Sequence, residues 1–77
     1  MDERIRKVMA ATFGVPESGI PNDATPENVT NWDSVRHMSL ILALEEEFDV
    51  RFDEDQMSEL ISFDIIRRTL REMQVKP

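Results

Sequence analysis

The sequence has no cysteine, no tyrosine, two glycines and one histidine among its 77 residues. Without cysteine there are no disulfides, and a single histidine excludes zinc sites built from Cys and His. Two glycines cannot form a glycine-rich phosphate loop, which argues against nucleotide binding. No apolar run approaches the ~20 residues of a membrane span. Because the first residues also lack the apolar segment of a signal peptide, we expect a cytoplasmic protein without membrane insertion.

The charge is acidic and unevenly distributed. Nine basic and sixteen acidic residues give a net charge of −7, and residues 44–64 hold nine carboxylates against Arg51 alone. Such a block is most often a solvated face, and the alternative is a docking surface for basic proteins. The acidic balance argues against nucleic acid and anionic membranes as partners.

Helical periodicity accounts for the apolar residues, and no strand pattern competes with it. We predict helices over residues 2–13, from Asp33-Ser34 to about Asp49, over 53–60 and over 63–74. The long loop from Gly14 to Trp32 should be anchored by Val15, Ile20, Val29 and Trp32. The expected fold is all-α: a single domain over residues 1–77, with three main helices, one short helix and a long loop after the first helix.

The second predicted helix is apolar over more than half of its circumference. We therefore expect it to be packed on several sides and to form the centre of the domain. Its apolar set is Val35, Met38, Leu40, Ile41, Leu42, Leu44 and Phe48.

The sequence does not favour catalysis or metal binding. His37, three residues after Ser34, is interpreted as a partly buried packing residue, because one histidine supports no catalytic triad. Asp53-Glu54-Asp55 resembles the start of a calcium loop, but Ser58 stands where that loop needs glycine. We predict no catalytic residue and no metal site.

Asp33 and Ser34 stand where the long loop meets the central helix. Asp-Ser before an apolar periodic run predicts an N-cap. At this junction the serine hydroxyl should also lie near free N–H groups and the positive end of the helix dipole, which would favour an attached phosphate diester.

Nearly the whole chain resembles the acyl carrier protein family, and the resemblance is strongest over residues 32–48. Asp33-Ser34-Val35 is similar to the family's phosphopantetheine attachment motif, and Ala43-Leu44-Glu45-Glu46-Glu47-Phe48 is similar to the end of its second helix. The order of the helices and the long loop also matches. The resemblance implies that a transferase attaches 4′-phosphopantetheine covalently to Ser34, with Asp33 helping to position that enzyme. The thiol of the arm would hold acyl groups as thioesters for other enzymes, and the carrier would catalyse nothing itself.

The resemblance also implies where partners dock, namely Val35, Arg36, Ser39, Leu42 and Glu46. The implied partners are a phosphopantetheinyl transferase, acyl- or aminoacyl-loading ligases, acyltransferases and synthases, and the implied state is a monomer. Arg36 and Ser39 replace the usual acidic residues of fatty acid synthesis carriers, and Asn31-Trp32 replaces the usual small pair. These departures favour a specialised lipid or secondary-metabolite pathway.

Two alternatives remain open from the sequence. The first is an aminoacyl or peptidyl carrier of the D-alanyl type, which shares the attachment chemistry. The second is an acidic helical interaction module that never receives a prosthetic group.

The block of carboxylates in residues 44–64 predicts a fold that salt stabilises. Repulsion between exposed like charges is screened over about 10 Å at 0.1 M salt. We expect the melting temperature to rise when salt or divalent cations are added, as measured by circular dichroism. A melting temperature unchanged between low and moderate salt would contradict this.

Overall fold

The computed structural model of the protein describes residues 1–73 and is all-α over that range. Helix α1 spans Asp2–Phe13, α2 Ser34–Phe48, α3 Glu54–Glu59 and α4 Phe63–Glu72, and a short 3₁₀ turn at Glu17–Gly19 lies in the long loop. This confirms three main helices, one short helix and a long first loop. No helix within residues 1–73 is long and apolar enough to cross a membrane.

Capping residues set the helix ends, and the cap predicted at the start of α2 is confirmed. The side chain of Asp33 accepts from the amide of Arg36 at the start of α2, at 2.9 Å. Asp53 and Gln56 form a reciprocal capping box on α3, and Ser62 accepts from the amide of Ile65 at the start of α4. Gly14 ends α1 with φ 68°, a left-handed conformation that glycine adopts without strain. Helix α4 was predicted to reach residue 74, which lies outside the described residues; the helix ends at Glu72.

The core lies where α1, α2 and α4 meet, with side chains of the long loop closing one side. The loop contributes Ile20, Val29 and Trp32 to the buried core as predicted, and the predicted anchor Val15 is half-buried and packs against that core. The loop also contributes a carbonyl group to the packing, since Phe63 N at the start of α4 donates to Ala24 O at 3.0 Å. The buried residues of α1, α2 and α4 are Ile5, Met9, Ala10, Phe13, Leu40, Ile41, Leu44, Phe48, Phe63, Ile66 and Leu70.

Helix α2 is packed on one side rather than on several, which corrects the sequence-based expectation. Val35 is 77% exposed, Leu42 60% and Met38 49%, while Leu40, Ile41, Leu44 and Phe48 are buried. Hydrophobic periodicity identifies apolar positions but does not distinguish a core contact from an uncovered surface. The outward apolar residues of α2 therefore need an explanation other than core packing.

Arginines connect α1 to the rest of the molecule. Arg4 pairs with Glu47 at 3.0 Å and lies over the ring of Phe48. Arg67 of α4 pairs with Asp64 at 2.7 Å and with Asp2 at 3.2 Å. The hydrogen bond from Arg67 lowers the pKa of the Asp64 carboxyl, and the same bond raises the pKa of Arg67.

Core truncation should destabilise the fold much more than truncation at the surface. We expect Ile66→Ala or Phe48→Ala to lower the free energy of unfolding by about 2–5 kcal/mol, because both side chains are buried. Ile61→Ala is the matched control, since Ile61 is 50% exposed. Urea unfolding measures all three, and equal losses for Ile66→Ala and Ile61→Ala would contradict the packing described here.

Candidate functional site

Ser34 is the first residue of α2, and its side chain is exposed. Asp33, rather than Ser34, caps the helix, so the serine hydroxyl is not used for capping. Within residues 1–73 that hydroxyl makes no hydrogen bond. The first amides of a helix have no partner inside the helix and favour a negative group nearby. Ser34 therefore combines a free, exposed hydroxyl with a local field that suits a phosphate.

The residues that flank Ser34 are tied to the C-terminal end of α1. Asn31 Nδ2 donates to Phe13 O at 3.0 Å, and Arg36 Nη1 donates to Thr12 O at 3.4 Å. These two carbonyls belong to the last turn of α1, where helical partners are missing and positive charge is favourable. Asn31 has φ 73°, a left-handed conformation that asparagine tolerates better than most residues. The position of Ser34 is thus set from both sides by α1.

Trp32 links the long loop to both α1 and α2. Its ring stacks on Phe13 with centroids 5.2 Å apart, and its Nε1–H donates to His37 Nδ1 at 3.1 Å. His37 Nε2 lies 2.7 Å from Met57 O on α3. His37 is half-buried, as predicted, but its role as a hydrogen-bonded link was missed. The five-residue separation of Trp32 and His37 was the sequence feature that could have predicted this bond. An indole N–H just before a helix can reach a side chain at the end of the first helical turn.

An apolar groove begins at Ser34. It has a volume of about 560 Å³ and is lined by Pro26, Trp32, Asp33, Ser34, His37, Met38 and Ile61. Met38 and Ile61 are each about half exposed and were absent from the predicted site. The exposed apolar residues of α2 had been attributed to the core, which is why the groove was missed. A group attached to Ser34 would have a polar anchor and an apolar wall beside it.

The five residues predicted to contact partners do not form one stripe. At about 100° per residue, Val35, Ser39, Leu42 and Glu46 share the outward face of α2, and all four are exposed. Arg36 is also exposed but points toward α1, where it binds Thr12 O. Met38 lies on the opposite edge of this face, toward Ile61 at the groove. Within residues 1–73 no three His, Asp or Glu side chains are grouped to hold a metal ion.

Comparison with known proteins identifies the family. The chain is 32% identical over 72 residues to the acyl carrier protein of Buchnera aphidicola subsp. Baizongia pistaciae (strain Bp), an alignment that covers 88% of this chain and 92% of that protein. The chain belongs to the acyl carrier protein family. No protein-family model matches it. Membership of this family supports a carrier function without specifying the cargo or the pathway. The all-helical fold agrees with this family assignment.

Proposed function

We propose that residues 1–77 form one carrier domain that holds acyl groups as thioesters on 4′-phosphopantetheine attached to Ser34. The protein presents them to partner enzymes of a specialised lipid or secondary-metabolite pathway, acts in the cytoplasm as a monomer and has no catalytic activity of its own. The observation that carries this proposal is the exposed, unbonded hydroxyl of Ser34 at the start of α2, in a chain of the acyl carrier protein family.

The surroundings of Ser34 fit the proposed prosthetic group. The free amides of the first turn suit its phosphate, and the adjacent groove of Trp32, Met38 and Ile61 suits an apolar chain. The group supplies a thiol on a flexible arm. The chain itself has no thiol, because it has no cysteine. Asp33 keeps the serine available by capping the helix in its place.

The attachment reaction uses coenzyme A as donor. The Ser34 Oγ–P bond forms while the P–O bond between the two phosphates of coenzyme A breaks. The leaving group is adenosine 3′,5′-bisphosphate, and the hydroxyl proton passes to a base of the transferase. The carrier contributes the exposed hydroxyl and its fixed position, while the transferase with its Mg²⁺ provides the catalysis.

The outward face of α2 is the proposed surface for partners. Val35, Ser39, Leu42 and Glu46 lie together on it, and Arg36 borders it on the side of α1. Val35 and Leu42 make this face partly apolar, and its carboxylate is Glu46, toward the far end of the helix. Apolar residues at the centre of an interface contribute more to affinity than exposed charges at its rim. Partners that match this face need an apolar centre and basic residues toward the end of α2.

Intact mass tests the attachment site. We expect the wild-type chain, incubated with coenzyme A, Mg²⁺ and a broad-specificity phosphopantetheinyl transferase, to gain one phosphopantetheine. Ser34→Ala should gain nothing, because the attacking oxygen is gone. Ser18→Ala is the matched control, since Ser18 is an exposed serine of the long loop, and it should gain the group like wild type.

Two results would contradict the attachment proposal. One is an unmodified wild-type chain under conditions in which the same transferase modifies another carrier, which would favour the interaction-module alternative. The other is a mass gain on Ser34→Ala, which would move the attachment to a different residue.

The partner surface has its own test. We expect Leu42→Ser to leave the free energy of unfolding within about 0.5 kcal/mol of wild type, because the side chain is 60% exposed. The same variant should raise the KM of the transferase for the carrier. Ala11→Ser, an exposed position on α1, is the control and should leave KM unchanged. Equal KM values for Leu42→Ser and wild type would remove Leu42 from the surface.

A further inference from the structure

Helix α3 is held weakly by its own side chains. None of its six residues, Glu54–Glu59, is buried, and the buried residues that attach this segment are Phe52 before the helix and Leu60 after it. Met57 and Gln56 are half-buried. A helix without a buried apolar face depends on its ends and on hydrogen bonds to neighbouring elements.

His37 supplies such a hydrogen bond to α3. The last carbonyls of a helix have no helical partner, and Ile61 N, which would otherwise reach Met57 O, donates to Glu59 O instead. His37 Nε2 lies 2.7 Å from Met57 O. The histidine at the start of α2 thus satisfies a free carbonyl at the end of α3.

The two partners of His37 determine its protonation. An indole Nε1–H can only donate, so Nδ1 of His37 must accept, and Met57 O can only accept, so Nε2 must carry the proton. This arrangement exists only for the neutral imidazole with its proton on Nε2. Protonation of Nδ1 would place two donors against each other and leave the buried indole N–H without a partner.

Charged groups on the surrounding elements have partners of their own or lie on exposed residues. Asp33 accepts from Arg36 N, and Arg36 donates to Thr12 O. The loop that carries Trp32 has Glu27 as its nearest charged residue before Asp33, and Glu27 is exposed. On α3 and its cap the carboxylates are Asp53, Glu54, Asp55 and Glu59. Both ring nitrogens of His37 therefore have neutral partners.

We propose that His37 is a positioning residue: its neutral Nε2–H tautomer joins the loop before Ser34 and helix α3 to the first turn of α2. The bonded state keeps Trp32 beside the serine and keeps α3 in place next to the exposed face of α2. A proton on Nδ1 would remove the contact to Trp32, whereas Nε2–H would still donate to Met57 O. The part of this inference that concerns partner recognition rests on the proposed function, whereas the tautomer and its release do not.

Nuclear magnetic resonance tests the bonded state directly. The chain has one histidine and one tryptophan, so the imidazole and indole signals need no further assignment. At pH 8 we expect ¹⁵N shifts of a protonated Nε2 and an unprotonated Nδ1. When acid protonates Nδ1, the indole N–H signal should move together with the imidazole signals, because the indole then loses its acceptor. The opposite tautomer, or an indole signal that stays constant while the imidazole titrates, would overturn the proposal.

Transferase kinetics test the consequence for recognition. His37→Gln should raise the KM for the carrier about fivefold with kcat little changed, the size expected for the loss of one net hydrogen bond. Trp32→Phe keeps an aromatic ring against Phe13 but loses the indole N–H, so it should also raise KM. This second variant keeps the test valid if His37→Gln misfolds. Thr69→Val, at a half-buried position on α4, is the control and should leave KM unchanged.

The outcomes separate the two proposals. If the wild-type chain is not modified with phosphopantetheine, the proposed function and the recognition role are both overturned. The tautomer is tested separately by nuclear magnetic resonance and does not depend on that result. A wild-type chain that is modified, with KM unchanged in both His37→Gln and Trp32→Phe, overturns the recognition role alone.

Discussion

The burial of Trp32 is the constraint on which the serine end of the molecule depends. Trp32 is 6% exposed, rests on Phe13 and donates its single side-chain hydrogen bond to His37. A twenty-residue loop can adopt many conformations. Anchoring its last residues fixes the position at which α2 begins. Asn31 and Arg36 add bonds to the last turn of α1 on either side of Trp32. Ser34 is thereby exposed beside residues that are tied to α1 and α2, although it follows a long loop.

The carboxylates of residues 44–64 have two roles, which cannot be distinguished by counting charges. Some of its carboxylates stabilise the fold: Glu45 accepts from Phe52 N at 2.8 Å, Asp53 caps α3, and Asp64 binds Arg67. Others, such as Glu46 and Glu54, are exposed and without ion pairs among the described residues. The first group shapes the turn between α2 and α3. The second is available to a basic partner, so the net charge overstates the charge that a partner meets.

Local signals predicted most of the fold, and contacts between distant residues explain what they missed. Asp33, Asp53 and Ser62 cap helices by accepting from amides three residues later, so the first residues of α2, α3 and α4 follow from the sequence. The exposure of Met38 and the link from His37 to Met57 depend on how α3 lies against α2, which no local pattern specifies. The serine was found from its motif. The groove beside it was not, because its apolar wall combines residues from the long loop, from α2 and from the segment after α3.

The position of Trp32 has a practical consequence. The chain has one tryptophan and no tyrosine, so nearly all of its near-ultraviolet absorption and its fluorescence come from an indole two residues before Ser34. That indole lies in the wall of the groove and is hydrogen-bonded to the residue that contacts α3. The protein thus contains a built-in optical reporter at the serine end of α2. Its emission depends on the surroundings of that end of the helix and can be measured without any added label.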